Sequence, residues 1–270
     1  MNPVVNYTVD GEIVVVKYGG NALAGATESD AMEQFAFDVV QMHSDGMQPV
    51  VVHGGGPQIS QLMKDRGKQP EFRNGLRVTD AETIDIVRTA LMGQVNPQLV
   101  AAINAQGGSA AGLSGEDVIH AEIRDPELGF VGDVGAVEAM TFGHLLALGR
   151  IPVVAPLGTD WSGQTYNINA DTVAGAIAAA IGARRLVYLT DIEGLRRVVS
   201  DAASLIRETT ADELEAMMAD GIIGEGMIPK VQSCIDAVRA GVQQAHILDG
   251  RVPHALQKLF SDELIGTVVR

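Results

Sequence analysis

Apolar positions in this chain fall into two patterns. Short unbroken runs mark strands buried on both faces, and stretches repeating every three to four residues mark amphipathic helices. Residues 12–16 read as a strand, and residues 30–43 as a helix whose Phe35, Val39 and Met42 share one stripe. The next strand, 48–52, ends in three consecutive valines with no polar alternation. Thr79 and Glu82 have capping-box spacing at the head of a helix that places Ile84, Val87 and Leu91 on one face. A second helix spans about 95–105. Short strands are expected at 109–113, 118–123 and 131–137, the last two as a hairpin crossing the edge of the sheet. Helix 139–148 and strand 151–155 complete the first half. From Asn167 onward come helix 171–181, strand 186–189, helices 211–219 and 229–240, and strands at 245–248 and 267–269. Strands and helices thus alternate throughout, which predicts an α/β protein with a mainly parallel open sheet. No stretch resembles a flexible linker or a repeat, so both halves are expected to share that sheet.

Charge narrows the partners. The 270 residues carry 34 Asp and Glu against 19 Lys and Arg, a formal net charge of −15. Such a surface repels nucleic-acid phosphates, and any anionic ligand must be held by a few focal donors. There are only five lysines, so the place of each matters. Apolar runs fall well short of the ~20 residues a membrane helix needs, so no membrane partner is expected. The first residues lack a basic segment followed by an apolar one, which points to a cytoplasmic protein. The single Cys234 cannot form an internal disulfide and reads as a small buried hydrophobe on a helix; no Cys or His spacing suggests a metal site.

Five clusters carry candidate chemistry. Lys17, Gly19 and Gly20 stand at the carboxyl end of the first strand, where open α/β sheets bind ligands; paired glycines can donate N–H groups to a phosphate beside a lysine charge, although such a pair also makes a plain turn. His53-Gly54-Gly55-Gly56-Pro57 repeats the arrangement at the next strand and leads into a helix N-terminus, a ready anion site. His53 itself reads as a structural residue orienting the glycine loop. Arg77, just ahead of the helix that follows it, is either a surface charge or a two-pronged carboxylate clamp. Asn167, Asn169 and Asp171 form an amide-rich approach to a helix, with Asp171 placed as its N-cap. Lys230 lies in the first turn of another helix, where the dipole disfavours it, so it needs a compensating anion such as a bound phosphate. The chain has no Walker A motif, dinucleotide fingerprint, nucleophile elbow or zincin motif.

The segments KYGGNAL, VVHGGGPQI, NGLRVTDAET, GFVGDV, QTYNINADT, LTDIEGL, GMIPK and HILDGRVPHAL occur in the order and spacing of N-acetyl-L-glutamate kinases. The chain resembles these members of the amino-acid kinase family from about Ile13 to Val269. The resemblance implies a three-layer αβα sandwich with two lobes: residues 1–165 for the acyl amino acid and dimerisation, and residues 166–270 for ATP. It implies that Gly55 and Gly56 hold N-acetyl-L-glutamate, with Arg77 on its α-carboxylate and Asn167 on its other end. Lys17 and Lys230 would neutralise the transferring phosphoryl group and Asp171 would position both. Gly19, Gly20, Thr190, Asp191, Gly194, Leu195 and Gly226 would line the nucleotide, and Mg²⁺ would arrive with ATP rather than sit in a protein cage.

The implied reaction is phosphorylation of the substrate's γ-carboxylate, a step of arginine biosynthesis. That nucleophile is already ionised, so no catalytic His or Cys is required. The chain departs from such relatives at three places. Glu116 stands where they often carry lysine, Arg196 and Arg197 replace frequent acids and read as solvated surface, and only residues 1–11 precede the first strand. Arginine-inhibited relatives place there a helix that joins dimers into hexamers, so the expectation is a homodimer insensitive to arginine. Two alternatives remain open at this stage: a kinase of a related acyl or carrier-linked amino acid of the aminoadipate type, and a non-catalytic amino-acid sensor.

Overall fold

A computed structural model describes residues 10–19, 28–198, 200–224, 227–261, 263 and 265–270. Gly20 and Gly226 therefore lie outside the described residues. The chain begins β1 (Ile13–Tyr18), α1 (Glu28–Ser44), β2 (Gln48–His53), α2 (Gly56–Asp65), β3 (Phe72–Arg73), β4 (Leu76–Arg77), α3 (Ala81–Ala90) and α4 (Asn96–Ala105). It continues β5 (Ala110–Ser114), β6 (Ile119–Ile123), β7 (Val131–Val137), α5 (Ala139–Ala147), β8 (Ile151–Ala155), β9 (Leu157–Thr159) and β10 (Thr165–Ile168). The remainder is α6 (Ala170–Ala180), β11 (Arg185–Thr190), β12 (Glu208–Thr209), α7 (Ala211–Ala219), α8 (Ile228–Arg239), β13 (Gln244–Asp249), α9 (Ala255–Phe260) and β14 (Thr267–Val269).

Eight strands form one sheet in the order β12-β14-β13-β11-β1-β2-β8-β5, parallel throughout except between β13 and β14. Its valine runs are continuous because both faces are covered. Val14 and Val16 of β1 pack with α1, α4 and α9, whereas Val15 packs with α6, α7 and α8. The three-layer αβα expectation is met. β1 is the centre of the order: the chain moves from it to β2, β8 and β5 on one side, and β11, β13 and β14 fill the other. Such a reversal opens a crevice at the carboxyl ends of the strands, and Lys17 stands at that end of β1. Among the described residues no helix is long and apolar enough to cross a membrane.

Three expectations are corrected. The β6–β7 hairpin does not cross the sheet edge; with β9 and β10 it closes a separate four-stranded barrel. β9 and β10 are too short to read in a sequence, and they pair with partners distant along the chain. Thr79 does not cap α3. Its backbone is occupied by Leu128 and Phe130, and Asp80 caps the helix instead, accepting the Thr83 N–H at 2.8 Å. The Lys68 ammonium and that N–H hold the Asp80 carboxyl at about 2. The helices at 81–90 and 95–105 are one continuous run, because residues 91–95 form a wide π turn in which Asn96 N–H reaches Leu91 carbonyl. That turn accommodates Pro97, which has no N–H to donate.

Candidate active site

Alternation along β1 puts Lys17 on the same face as Val15, toward α6 and α8. Asp171 lies in the first turn of α6, and Asn169, not Asp171, caps that helix, accepting the N–H groups of Asp171 and Thr172. The Asp171 side chain is thereby free to point at the sheet. Its two oxygens take one lysine each: Lys17 Nζ at 2.9 Å on Oδ1 and Lys230 Nζ at 2.9 Å on Oδ2. Side-chain exposures of 13, 14 and 6% for Lys17, Asp171 and Lys230 make this a largely buried trio. The counter-anion that Lys230 needs at a helix N-terminus is thus supplied by the protein itself.

The charges do not cancel. Two ammonium groups around one carboxylate leave a net +1 in a buried place. Burial alone would raise the Asp171 carboxyl, but Lys17 and Lys230 outweigh it and hold the group at about 2. Lys230 is pushed down by burial and by the like charge of Lys17, against the pull of Asp171. An arriving anion would relieve that strain on Lys230.

The trio is braced from behind. Ser233 donates its hydroxyl to the Asp171 carbonyl at 2.8 Å, the Tyr188 phenol closes on both, and the Tyr188 ring lies 4.8 Å below Lys230 Nζ. Close approach of α6 and α8 requires glycine at 175, where a Cβ would stand 2.3 Å from Ser233 Oγ. Cys234 is wholly buried, as expected, and burial pushes its thiol up.

Beside the trio, a cavity of about 220 Å³ is lined by Lys17, Gly55, Gly56, Arg77, Asn167 and Asp171, with apolar Ile59, Phe72 and Leu91. Gly55 caps α2, so the helix N-terminus opens into this cavity, and a Cβ on Gly56 would meet nothing within 4 Å. His53 is fully buried behind the loop. Its Nδ1 donates to the Gly54 carbonyl at 2.8 Å and its Nε2 accepts from Asn96 at 3.1 Å. Burial lowers its pKa to about 4, so it is a neutral strut.

Arg77 is 7% exposed, which excludes the reading as a surface charge. Its guanidinium donates to Ser60 Oγ at 2.8 Å and to the Gly56 carbonyl at 3.1 Å, and it stacks on Phe72. Among the described residues no carboxylate pairs with it, so a buried cation faces the cavity without a counter-ion. Burial lowers its pKa, yet a guanidinium stays charged. Ser60 and Met63 were missed in the sequence; their signal is the helical spacing Gly56, Ser60, Met63, which sets all three on one face of α2.

A second cavity, of about 340 Å³, is lined by Asp191, Ile192, Gly194, Leu195, Ile222, Ile223, Gly224 and Met227, together with Glu193, Arg196 and Arg251. Arg196 is therefore part of a cavity wall, paired with Glu193 at 3.0 Å, rather than solvated surface. Thr190 does not line this cavity; it ends β11 next to Asp191 and donates its hydroxyl to the Asp191 carboxylate at 3.2 Å. Gly194 has φ +147°, and a Cβ there would stand 2.7 Å from Thr267 Oγ1. Gly19 lies against Leu189 at the end of β1, and a Cβ on it would stand 3.1 Å from Lys17 Nζ. Glu116 lines neither cavity. It accepts from Ser114 and Thr165 and pairs with Arg88 at 3.0 Å, tying α3 to β10.

Residues 12–249 match the model of the amino acid kinase family. The chain belongs to that family. Relatives include an acetylglutamate kinase from Symbiobacterium thermophilum, 47% identical over 96% of this chain and 92% of the relative. Another, from Jannaschia sp., is 48% identical over 96% and 90%. Among solved structures, an N-acetylglutamate synthase from Neisseria gonorrhoeae, complexed with coenzyme A and N-acetyl-glutamate, superposes with a TM-score of 0.82 at 24% identity, over 97% of this chain and 60% of that one. That likeness is one of fold.

Proposed function

We propose that this amino acid kinase transfers the γ-phosphoryl group of ATP to the γ-carboxylate of N-acetyl-L-glutamate, giving N-acetyl-L-glutamyl 5-phosphate and ADP, a step of arginine biosynthesis. What carries the substrate assignment is the 47–48% identity, over 96% of the chain, to proteins named acetylglutamate kinase. The cavities supply the chemistry. In the smaller one, the unpaired Arg77 takes the α-carboxylate, Asn167 the other end of the acyl amino acid, and the N–H groups of Gly55 and Gly56 the reacting carboxylate. The larger one takes the nucleotide at Asp191, Gly194 and Leu195, with Thr190 next to Asp191 in the chain and Gly19 beside its phosphates. Residues 1–165 thus supply most of the acyl-substrate site and residues 166–270 most of the nucleotide site, with Asn167 crossing to the first and Gly19 to the second.

A carboxylate oxygen of the substrate attacks the γ-phosphorus. One O–P bond forms, the bond to the β,γ-bridging oxygen breaks, and ADP leaves with that electron pair. The nucleophile needs no base, because it is ionised at neutral pH. Catalysis is then alignment plus neutralisation of charge on the equatorial oxygens. Lys17 and Lys230 neutralise it from two sides, each held on one oxygen of Asp171. The net +1 of the trio fits an incoming polyphosphate, and magnesium bound to ATP supplies further neutralisation. We place the enzyme in the cytoplasm as a homodimer built through the N-terminal lobe around α3.

The test is ADP release with N-acetyl-L-glutamate, L-glutamate and N-acetyl-L-aminoadipate side by side. Turnover with N-acetyl-L-glutamate far above the other two is expected. Preference for the aminoadipate compound would reassign the substrate, and no turnover with any would favour a sensor, for which two phosphoryl-facing lysines have no use. Arg77→Ala is expected to raise KM for N-acetyl-L-glutamate roughly 10- to 100-fold, the worth of a charged hydrogen-bonding pair, with KM for ATP unmoved. Arg77→Lys restores only part, because an ammonium lacks the two-pronged geometry. Unchanged affinity for acetylglutamate in Arg77→Ala would remove the α-carboxylate assignment.

A further inference from the structure

Thr79 is wholly buried, although it is polar and lies in the loop between β4 and α3. Its backbone is held on both sides: the N–H donates to the Leu128 carbonyl at 2.9 Å, and the carbonyl accepts the Phe130 N–H at 2.6 Å. Between those partners Gly129 has φ +73°, and a Cβ there would lie 2.3 Å from the Thr79 oxygen, so only glycine permits the approach. The Phe130 carbonyl in turn accepts the backbone N–H of Asn167 at 2.9 Å.

The side chain links the end of β4 directly to Asn167. Its hydroxyl donates to the Arg77 carbonyl at 2.8 Å and accepts from Asn167 Nδ2 at 3.3 Å. A threonine hydroxyl has one proton, and a carbonyl can only accept. That proton is therefore committed to Arg77, and Asn167 meets a lone pair. Only the NH₂ end of the Asn167 amide can satisfy it, so the amide orientation is set by Thr79. Asn167 Oδ1 and its second N–H are left for the cavity that Asn167 lines.

We propose that Thr79 is a positioning residue for acyl-substrate recognition: one buried hydroxyl holds Arg77 and Asn167 in register and fixes which end of the Asn167 amide faces the ligand. This rests on the assignment of Arg77 and Asn167 to the acyl amino acid made above. The hydroxyl itself touches no substrate. Its contribution is preorganisation, which appears in binding because the two side chains need not be ordered when the ligand arrives.

The experiment compares Thr79→Val, which keeps the shape and removes the hydroxyl, with Thr79→Ser, which keeps the hydroxyl. Thr79→Val is expected to raise KM for N-acetyl-L-glutamate about 3- to 10-fold, the worth of a neutral hydrogen bond. KM for ATP stays put, kcat falls by less than KM rises, and Thr79→Ser remains close to the wild type. In an Asn167→Ala background Thr79→Val adds little, since the partner it orients is gone. Equal KM increases in the serine and valine variants, or effects that multiply in full with Asn167→Ala, would overturn the proposal.

Nuclear magnetic resonance of the ligand-free wild-type chain gives a readout independent of turnover. The Asn167 side-chain NH₂ is expected to show one fixed orientation with one proton protected from exchange, and to lose both features in Thr79→Val. Signals averaged over two orientations in the wild type overturn the proposal even if the valine variant does not fold. A wild type that phosphorylates no acetylglutamate would instead refute the substrate assignment, with these amide signals still deciding the role of Thr79.

Discussion

Lys17→Ala and Lys230→Ala are each expected to lower kcat on the order of a hundredfold or more, the usual effect of removing one preorganised donor from a developing charge. KM for N-acetyl-L-glutamate should move little, because the charge they meet grows as the phosphoryl group loosens rather than when the acyl substrate binds. Steady-state kinetics with both substrates varied checks this. A variant of either lysine with near-native kcat would take that residue out of the mechanism. Stability should hardly suffer. Removing one ammonium converts a trio of net charge +1 into a neutral pair at 2.9 Å, which is easier to bury.

The opposite charge change gives the second large effect. Asp171→Asn keeps the shape but leaves Lys17 and Lys230, at 13 and 6% side-chain exposure, as adjacent cations without a counter-ion. Breaking a buried pair from one side costs about 3–5 kcal/mol, so the variant should melt well below both lysine variants and should also lose activity. Its pH dependence separates this cause from a packing defect. In the wild type the Asp171 carboxyl is held at about 2, below the unfolded value of about 3.9. Its contribution is therefore fully present above the unfolded value and is lost as pH falls through the folded one.

In Asp171→Asn the groups that matter are the lysines. Burial already pushes Lys230 down, and without the carboxylate it should fall further below the unfolded value of about 10.4. The unfolded state then binds more protons than the native state in that window, so the variant's stability rises with pH. The gap to the wild type should narrow between neutral and alkaline pH in denaturant titrations. A constant gap would assign the loss to packing and deny the electrostatic account.

These expectations depend on contacts of different legibility. Lys17 and the loop from His53 to Gly56 are readable because each follows a valine run directly, and a run buried on both faces can only be a central strand whose end carries the loop. Arg77 was not readable in the same way. An arginine before a helix is a surface charge in most proteins, and only its burial against Ser60, Gly56 and Phe72 removes that option. The local sequence reads Asp171 as a helix cap, since nothing local says that Asn169 does that work and releases the carboxylate; only the family resemblance points to its place between the lysines. Arg196 reads as surface in the sequence, since a cavity wall is assembled from segments that the chain brings together only on folding.

The alternation of strand and helix, the parallel sheet and the glycine loops at two strand ends are legible along the chain. These follow from hydrophobic periodicity and backbone freedom, which act within a few residues. Folding settled the four-stranded barrel, whose β9 and β10 are short and pair with β6 and β7 across gaps in the chain. It also decided the joining of Lys17, Asp171 and Lys230, which come from β1, α6 and α8, and the hydroxyl of Thr79 set between Arg77 and Asn167. A buried charge or hydroxyl is defined by the partner that offsets its loss of water, and the partners that decide here, Asp171 for the two lysines and Asn167 for Thr79, lie outside the local window in which a sequence pattern can be read.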